Sequence, residues 1–186
     1  MNALETPARE LLCALLHYDE ETGILTWKTR DPSMFAGLKF SADATCRMWN
    51  SKFPRKRADR TARKGYRRVG IFNRNYAAHR IIWKMVHGTD ACEVDHVDGD
   101  PSNNRLSNLR EVTHSENMRN TKRPSTNVSG VAGVNWYKKN AKWSAYIKAD
   151  RRKIHLGYFA DFDSAVQARR AAEKSFGFHP NHGRAA

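Results

Sequence analysis

The stretch from Glu93 to Asn120, EVDHVDGDPSNNRLSNLREVTHSENMRN, constrains the fold more tightly than any other part of this 186-residue chain. Its middle, DGDPSNNR, is dense in residues whose side chains bond their own backbone or tolerate turn conformations. Glu93 to Val97, just before it, suits a short strand. Thr113-His114-Ser115-Glu116 matches the capping box, in which a hydroxyl and a carboxylate satisfy backbone donors reciprocally, so a helix should start beside His114. Asn117 then falls in the first turn of that helix or just past it. If Asp95 and His96 sit on a strand packed alongside, a carboxylate, an imidazole and an amide oxygen converge.

That set suits phosphodiester hydrolysis. Oxygen ligands from Asp95 and Asn117 fit one hard divalent cation per site, Mg²⁺ or else Mn²⁺ or another divalent ion, and leave most coordination positions to water and phosphate. A neutral His96 takes the proton of the attacking water while the cation offsets charge on the phosphate and the departing oxygen. No covalent intermediate is required.

The rest of the chain reads as small modules with modest cores. TPARELLCALLHYD has Thr6 at an N-cap position, Pro7 at the first helical position and Leu11, Leu12, Leu15 and Leu16 at helical spacing. EETG turns the chain into a strand, ILTWK, and Arg47 to Lys64 shows no clear period and reads as loop. Tyr66 to Phe72 suits a strand, Asn73-Arg74-Asn75 a tight turn, and Ala77 to His87 a helix with Ile81, Ile82, Met85 and Val86 on one face, ended by Gly88. His79 and His87 read as capping or packing residues rather than ligands. TKRPSTNVSG is polar, carries Pro124 and reads as a linker.

The formal charge of +14 points to a polyanionic partner. It is unevenly spread: −4 over residues 1–27, +12 over 28–80, −1 over 81–129 and +7 over 130–186. The near-neutral segment holding Asp95, His96 and Asn117 thus lies between two basic ones, as expected if the flanks grip phosphates. Arg67, Arg68, Arg74 and Arg80 are the upstream candidates for such contacts. No apolar run approaches the roughly 20 residues of a spanning helix and no signal-peptide pattern opens the chain, so a cytoplasmic protein without a membrane partner or small-molecule cofactor is expected. Cys13, Cys46 and Cys92 stand far apart with no Cys-x-x-Cys pair, which argues for reduced, mostly buried thiols.

VDHVDGDPSNNRLSNLREVTHSENMRN closely resembles the HNH endonuclease family, in the form found in phage homing and free-standing nucleases. LLHYDEETGILTWK and AHRIIWKMVHG resemble the segments preceding the motif there. The resemblance implies a ββα-metal fold, with His96 as general base, Asp95 and Asn117 as metal ligands, and Asn108 as the central asparagine bracing the loop between the two strands; Asn104 is a second candidate for bracing. Asn117 stands where many members carry a histidine. The asparagine variant includes strand-nicking members, so the cut pattern is left open.

Beyond the linker, Val131 to Tyr137, Lys142 to Ala149 and Arg152 to Tyr158 read as strands and Asp163 to Phe176 as a helix. Alternation turns Trp143, Ala145, Ile147, Ile154 and Leu156 toward the helix and Ser144, Tyr146, Lys148, Lys153 and His155 away from it. The order of elements, with GV-x-W, KWSAYI, HLGYF and SAVQARRAA, resembles the Apetala-two type DNA-binding domain of plant ethylene-response factors. Where that family's base-reading residues fall, this chain has Asn135, Tyr137, Lys148, Lys153 and His155; together with Lys139 and Tyr146 they are the expected DNA contacts.

The expected architecture is α+β: a ββα-metal nuclease core, an N-terminal helix/strand extension and a C-terminal three-stranded antiparallel sheet packed on one helix. Residues 1–122 form the nuclease region, with support in 1–89 and the motif in 90–122; 123–129 link it to a DNA-binding domain at 130–178, and 179–186 form a tail. The expected activity is metal-dependent hydrolysis of double-stranded DNA by a homing-type endonuclease acting as monomer or homodimer. The rival is a non-catalytic DNA-binding regulator on the same scaffold, which would need the bracing asparagine but not the base.

Overall fold

A computed structural model describes residues 6–37, 39–149 and 152–184. The chain divides into two compact units, residues 1–111 and 112–186, and the division falls within a strand rather than in the polar segment 123–129.

The first unit contains α1 (Arg9–Leu15), β1 (Leu16–Asp19), β2 (Ile24–Trp27), α2 (Ala42–Lys52), β3 (Asp59–Thr61), β4 (Arg67–Ile71), β5 (Arg74–Ala77), α3 (Ala78–His87), β6 (Glu93–His96) and β7 (Leu109–Val112), whose last residue opens the second unit. β1 pairs with β2, β3–β4–β5 form a three-stranded sheet, and β6 pairs with β7. Leu12, Leu15, Leu16, Leu25, Val69, Ile71, Ile81 and Ile82 are all but inaccessible and form one core. Each contributes on the order of 1.5–3 kcal/mol relative to exposure.

Four local readings change here. The tight turn is Phe72-Asn73 rather than Asn73-Arg74-Asn75, since Arg74 and Asn75 pair with Ile71 and Gly70 in β5. Leu16 does not extend the helix: its backbone is extended and it pairs with Trp27, so the leucine run serves a helix and then a strand. Thr6 does not cap α1, whose N-cap is Ala8; its hydroxyl donates to Asp90 instead, beside Lys84 Nζ, which donates to the Asp90 carboxylate at 2.6 Å. The segment 47–64 is not loop throughout. α2 starts at the Ser41 cap and runs to Lys52, and β3 follows. α2 has little apolar surface of its own and is held by Trp49, which packs edge-on against Trp27 at 5.4 Å and on Phe53 at 4.2 Å, with the Arg30 guanidinium 3.4 Å from its ring centroid.

The second unit contains α4 (His114–Met118), β8 (Val134–Tyr137), β9 (Lys142–Ala149), β10 (Arg152–Phe159) and α5 (Phe162–Ser175). The three strands form an antiparallel sheet in the order β10-β9-β8, and α5 packs against it. Val134, Ala145 and Ala165 are the buried centre, with Trp143, Leu156, Phe159 and Phe162 around them. Asp161 starts α5 by accepting from Ser164 N at 2.8 Å. A bulge in β10 shifts the register between His155 and Gly157. Among the described residues no helix is long and apolar enough to cross a membrane. All three thiols are free, but Cys92 is exposed rather than buried.

Candidate functional site

His96 ends β6 with 4% of its surface accessible, and its Nε2 lies 3.0 Å from Oδ1 of Asn104, which is 1% accessible. An amide oxygen only accepts, so the ring nitrogen facing it carries the proton and the basic lone pair resides on Nδ1. Asn104 is itself held from behind. Its carbonyl accepts from the Tyr18 hydroxyl at 2.9 Å, and burial, with the Glu20 charge, pushes the Tyr18 pKa up to about 12, so that this donor keeps its proton. The β1–β2 turn presses on the same segment: Gly23 has φ +73, and a Cβ there would stand 2.6 Å from the Asn104 carbonyl carbon and 2.5 Å from Arg105 N. Arg105 Nε closes the contact by donating to Glu21 O at 2.7 Å. The N-terminal hairpin is therefore a buttress for Asn104.

Asp95, next to His96 on the strand, accepts from Arg110 Nε at 3.1 Å and Nη2 at 2.8 Å, both at Oδ2. Arg110 was not singled out in the sequence because only strand pairing brings β7 beside β6. Asn108 ties the intervening loop. Its Nδ2 donates to Asp98 Oδ1 at 2.9 Å and to Asn103 O at 2.8 Å, and its Oδ1 accepts from Asp98 N at 3.0 Å. Burial alone would push the Asp98 carboxyl up; bonds from Asp100 N, Asn103 and Asn108, with the nearby His96, hold it below the usual range.

A second residue group borders His96. The rings of His79 and His96 meet edge to face at 5.2 Å, and Tyr66 lies 5.7 Å from the first and 6.1 Å from the second. Burial, followed by the neighbouring His96 and Arg80, pushes the His79 pKa down to about 3, so it is neutral at physiological pH. The sequence reading of His79 as a packing residue missed that its partner is His96. His87 does pack, at 4.0 Å from Trp83.

Asn117 lies on α4 in the second unit, and the Thr113–Glu116 capping box that starts this helix is present with both reciprocal bonds. Among the described residues no cluster of three or more His, Cys, Asp or Glu is arranged to hold a metal.

The upstream arginines divide. Arg67 is tied to buried Asp59 and donates to its carbonyl at 3.0 Å, and Arg80 donates to Ala91 O at 3.1 Å. Arg68 and Arg74 are exposed. In the second unit, pairing places Asn135, Ser144, Tyr146, Lys148, Lys153 and His155 on the sheet face away from α5, with Tyr137 opposite Lys142 at its edge. Lys153 Nζ stands 4.2 Å from the Tyr146 ring centroid. Lys139 is exposed in the short turn after β8. Tyr158 joins this face, with its ring 5.3 Å from Tyr137 and 4.6 Å from His155. Strict alternation would have buried it; the β10 bulge reverses the parity. A cleft in this unit is lined by Arg119, Lys122, Lys148, Lys153 and Arg169, with no carboxylate among the described residues that line it.

Residues 76–119 match the HNH endonuclease family. Over 77 residues the chain is 34% identical to Protein 3.8 of Escherichia phage T7, a stretch that is 40% of this chain and spans 64% of that relative. No solved structure matches.

Proposed function

We infer that this chain is a DNA endonuclease that hydrolyses phosphodiester bonds with His96 as general base. The observation that carries this reading is the buried His96–Asn104 pair, because it fixes the imidazole and engages Nε2–H, which gives the role of base to Nδ1. A scaffold that only binds DNA has no need of a buried imidazole held in one tautomer by a second buried polar side chain.

Asp95 and Asn117 are the residues that would hold a divalent cation. One carboxylate and one amide oxygen form a hard donor set, which suits Mg²⁺ or Mn²⁺ retaining most of its water. When bound, such an ion stabilises charge on the phosphate and the leaving oxygen. The chain's own residues do the rest. Arg110 fixes the Asp95 carboxylate, Asn108 holds the loop that carries Asn104, and Asn104 sets the imidazole. His79, kept neutral by burial, packs edge to face on the His96 ring.

The second unit is proposed as the recognition module, in the manner of an Apetala-two type domain, with phosphate and base contacts from Asn135, Tyr137, Lys139, Tyr146, Lys148, Lys153 and His155 and now Tyr158. Its lysines position on phosphate more than they read sequence. A homing-type specificity and a single nick per chain complete the proposal. Incubation of purified protein with supercoiled phage DNA tests it: nicked circles should accumulate with Mg²⁺ and not with EDTA, and DNA left intact in both conditions would remove the enzyme reading in favour of a binding protein.

A further inference from the structure

The β4–β5 hairpin of the first unit carries a feature that neither its core nor the proposed catalytic residues account for. Its two-residue turn, Phe72-Asn73, has positive φ at both positions, 45° and 61°, as in the tight hairpin turns that favour Asn-Gly. A bulky side chain in this conformation is strained. Phe72 gains no packing in return: it is 58% exposed and belongs to no core cluster among the described residues. A strained, exposed aromatic ring that does not serve the fold is a pointer to function.

The face behind that tip is cationic and flat. Val69, Ile71 and Tyr76 turn into the core, so Arg68, Gly70 and Asn75 share the opposite face, with Arg60 paired across from Arg68. Arg60 Nη2 donates to Asn75 Oδ1 at 2.9 Å, spreading its guanidinium across the ribbon. The one carboxylate in residues 59–77, Asp59, is buried on the other side and bound by Arg57 and Arg67. Gly70 is not required by the backbone, since its φ is not left-handed and an added Cβ would meet only Asn75 Oδ1 at 3.6 Å. A strand glycine without a structural demand leaves room for a close approach by another backbone.

We propose that this hairpin docks on duplex DNA, with Arg60 and Arg68 on phosphates, the sugar-phosphate backbone passing over Gly70, and Phe72 inserted as a wedge between adjacent base pairs. Arginine-flanked apolar side chains that enter the stack unwind and kink the duplex, and the unstacking is offset by the extra surface brought into contact. This rests on the DNA-cleaving reading for its partner but not for its chemistry.

The test uses the full chain in EDTA, where metal-dependent cleavage does not intervene. Supercoiled plasmid is relaxed by a topoisomerase that needs no metal, and the linking number is read after protein removal. Wild type should lower it. Phe72→Asn, which suits the left-handed turn, should bind about tenfold more weakly without changing the linking number, while its Tm rises by about 2–4 °C as strain is relieved. Phe72→Trp should keep the unwinding. Wild-type binding with an unchanged linking number overturns the wedge, and so does Phe72→Asn that unwinds like wild type. A fall in Tm for that variant also overturns it, since Phe72 would then be holding the fold. None of these outcomes bears on the nuclease reading, which absence of nicking by wild type in Mg²⁺ removes on its own.

Discussion

The His96 imidazole and the side-chain oxygen of Asn104 form a buried pair at 3.0 Å, and this contact decides which ring nitrogen is basic. Asn104→Leu keeps approximate volume but removes the acceptor, freeing the ring to change tautomer. The nicking rate should fall by about 10–100-fold, the range typical for lost orienting partners, with DNA affinity within about twofold of wild type. Single-turnover nicking and an equilibrium binding titration separate the two effects.

The Gly23 turn supports that pair from behind. Gly23→Ala places a Cβ within 2.6 Å of the Asn104 carbonyl carbon at a left-handed φ. Backbone strain and overpacking together should cost about 2–4 kcal/mol, read by urea denaturation, and nicking at saturating DNA should fall because Asn104 is displaced. Gly37→Ala is the control: its φ is also left-handed, but apart from its chain neighbours no described residue lies within 4 Å of an added Cβ, so its cost should be smaller and nicking unchanged.

Much of this arrangement was legible in the sequence because it is local. The Thr113–Glu116 capping box, the turn-rich loop and the Asp95-His96 strand are set by neighbours within a few residues, and Asn108 lies ten positions from the Asp98 it ties. What was not legible depends on tertiary partners. Arg67 and Arg80 look like Arg68 in sequence, yet one is occupied by Asp59 and the other by the carbonyls of Ala91 and Cys92. α2 lacks a clear apolar stripe and forms because Trp49 finds Trp27 and Arg30. The place of Tyr158 on the outer face was not legible because one bulge reverses the alternation.

His79 gives a pH signature. Its folded pKa, about 3, lies below the unfolded value near 6.5, so the unfolded chain binds the proton first and acid favours unfolding. Stability from this group is fully present above about pH 6.5 and is lost progressively as pH falls toward 3. In urea titrations between pH 7.5 and 4.5, wild type should lose stability on acidification more steeply than His79→Phe. Equal slopes would show that His79 does not contribute.

The outer face of the second unit predicts a salt signature. Lys148→Ala and Lys153→Ala should each weaken binding to any duplex sequence and each reduce the slope of log K against log salt by about one unit. Tyr158→Ala should weaken binding with little change in that slope, because it carries no charge. Anisotropy titrations at several salt concentrations measure both.

The most direct test of the account is nicking by His96→Ala in Mg²⁺, assayed beside wild type at matched DNA occupancy. The account predicts loss of at least about 100-fold in rate, the scale of a removed general base, with binding affinity retained. Cleavage at the wild-type rate by the purified variant would contradict it.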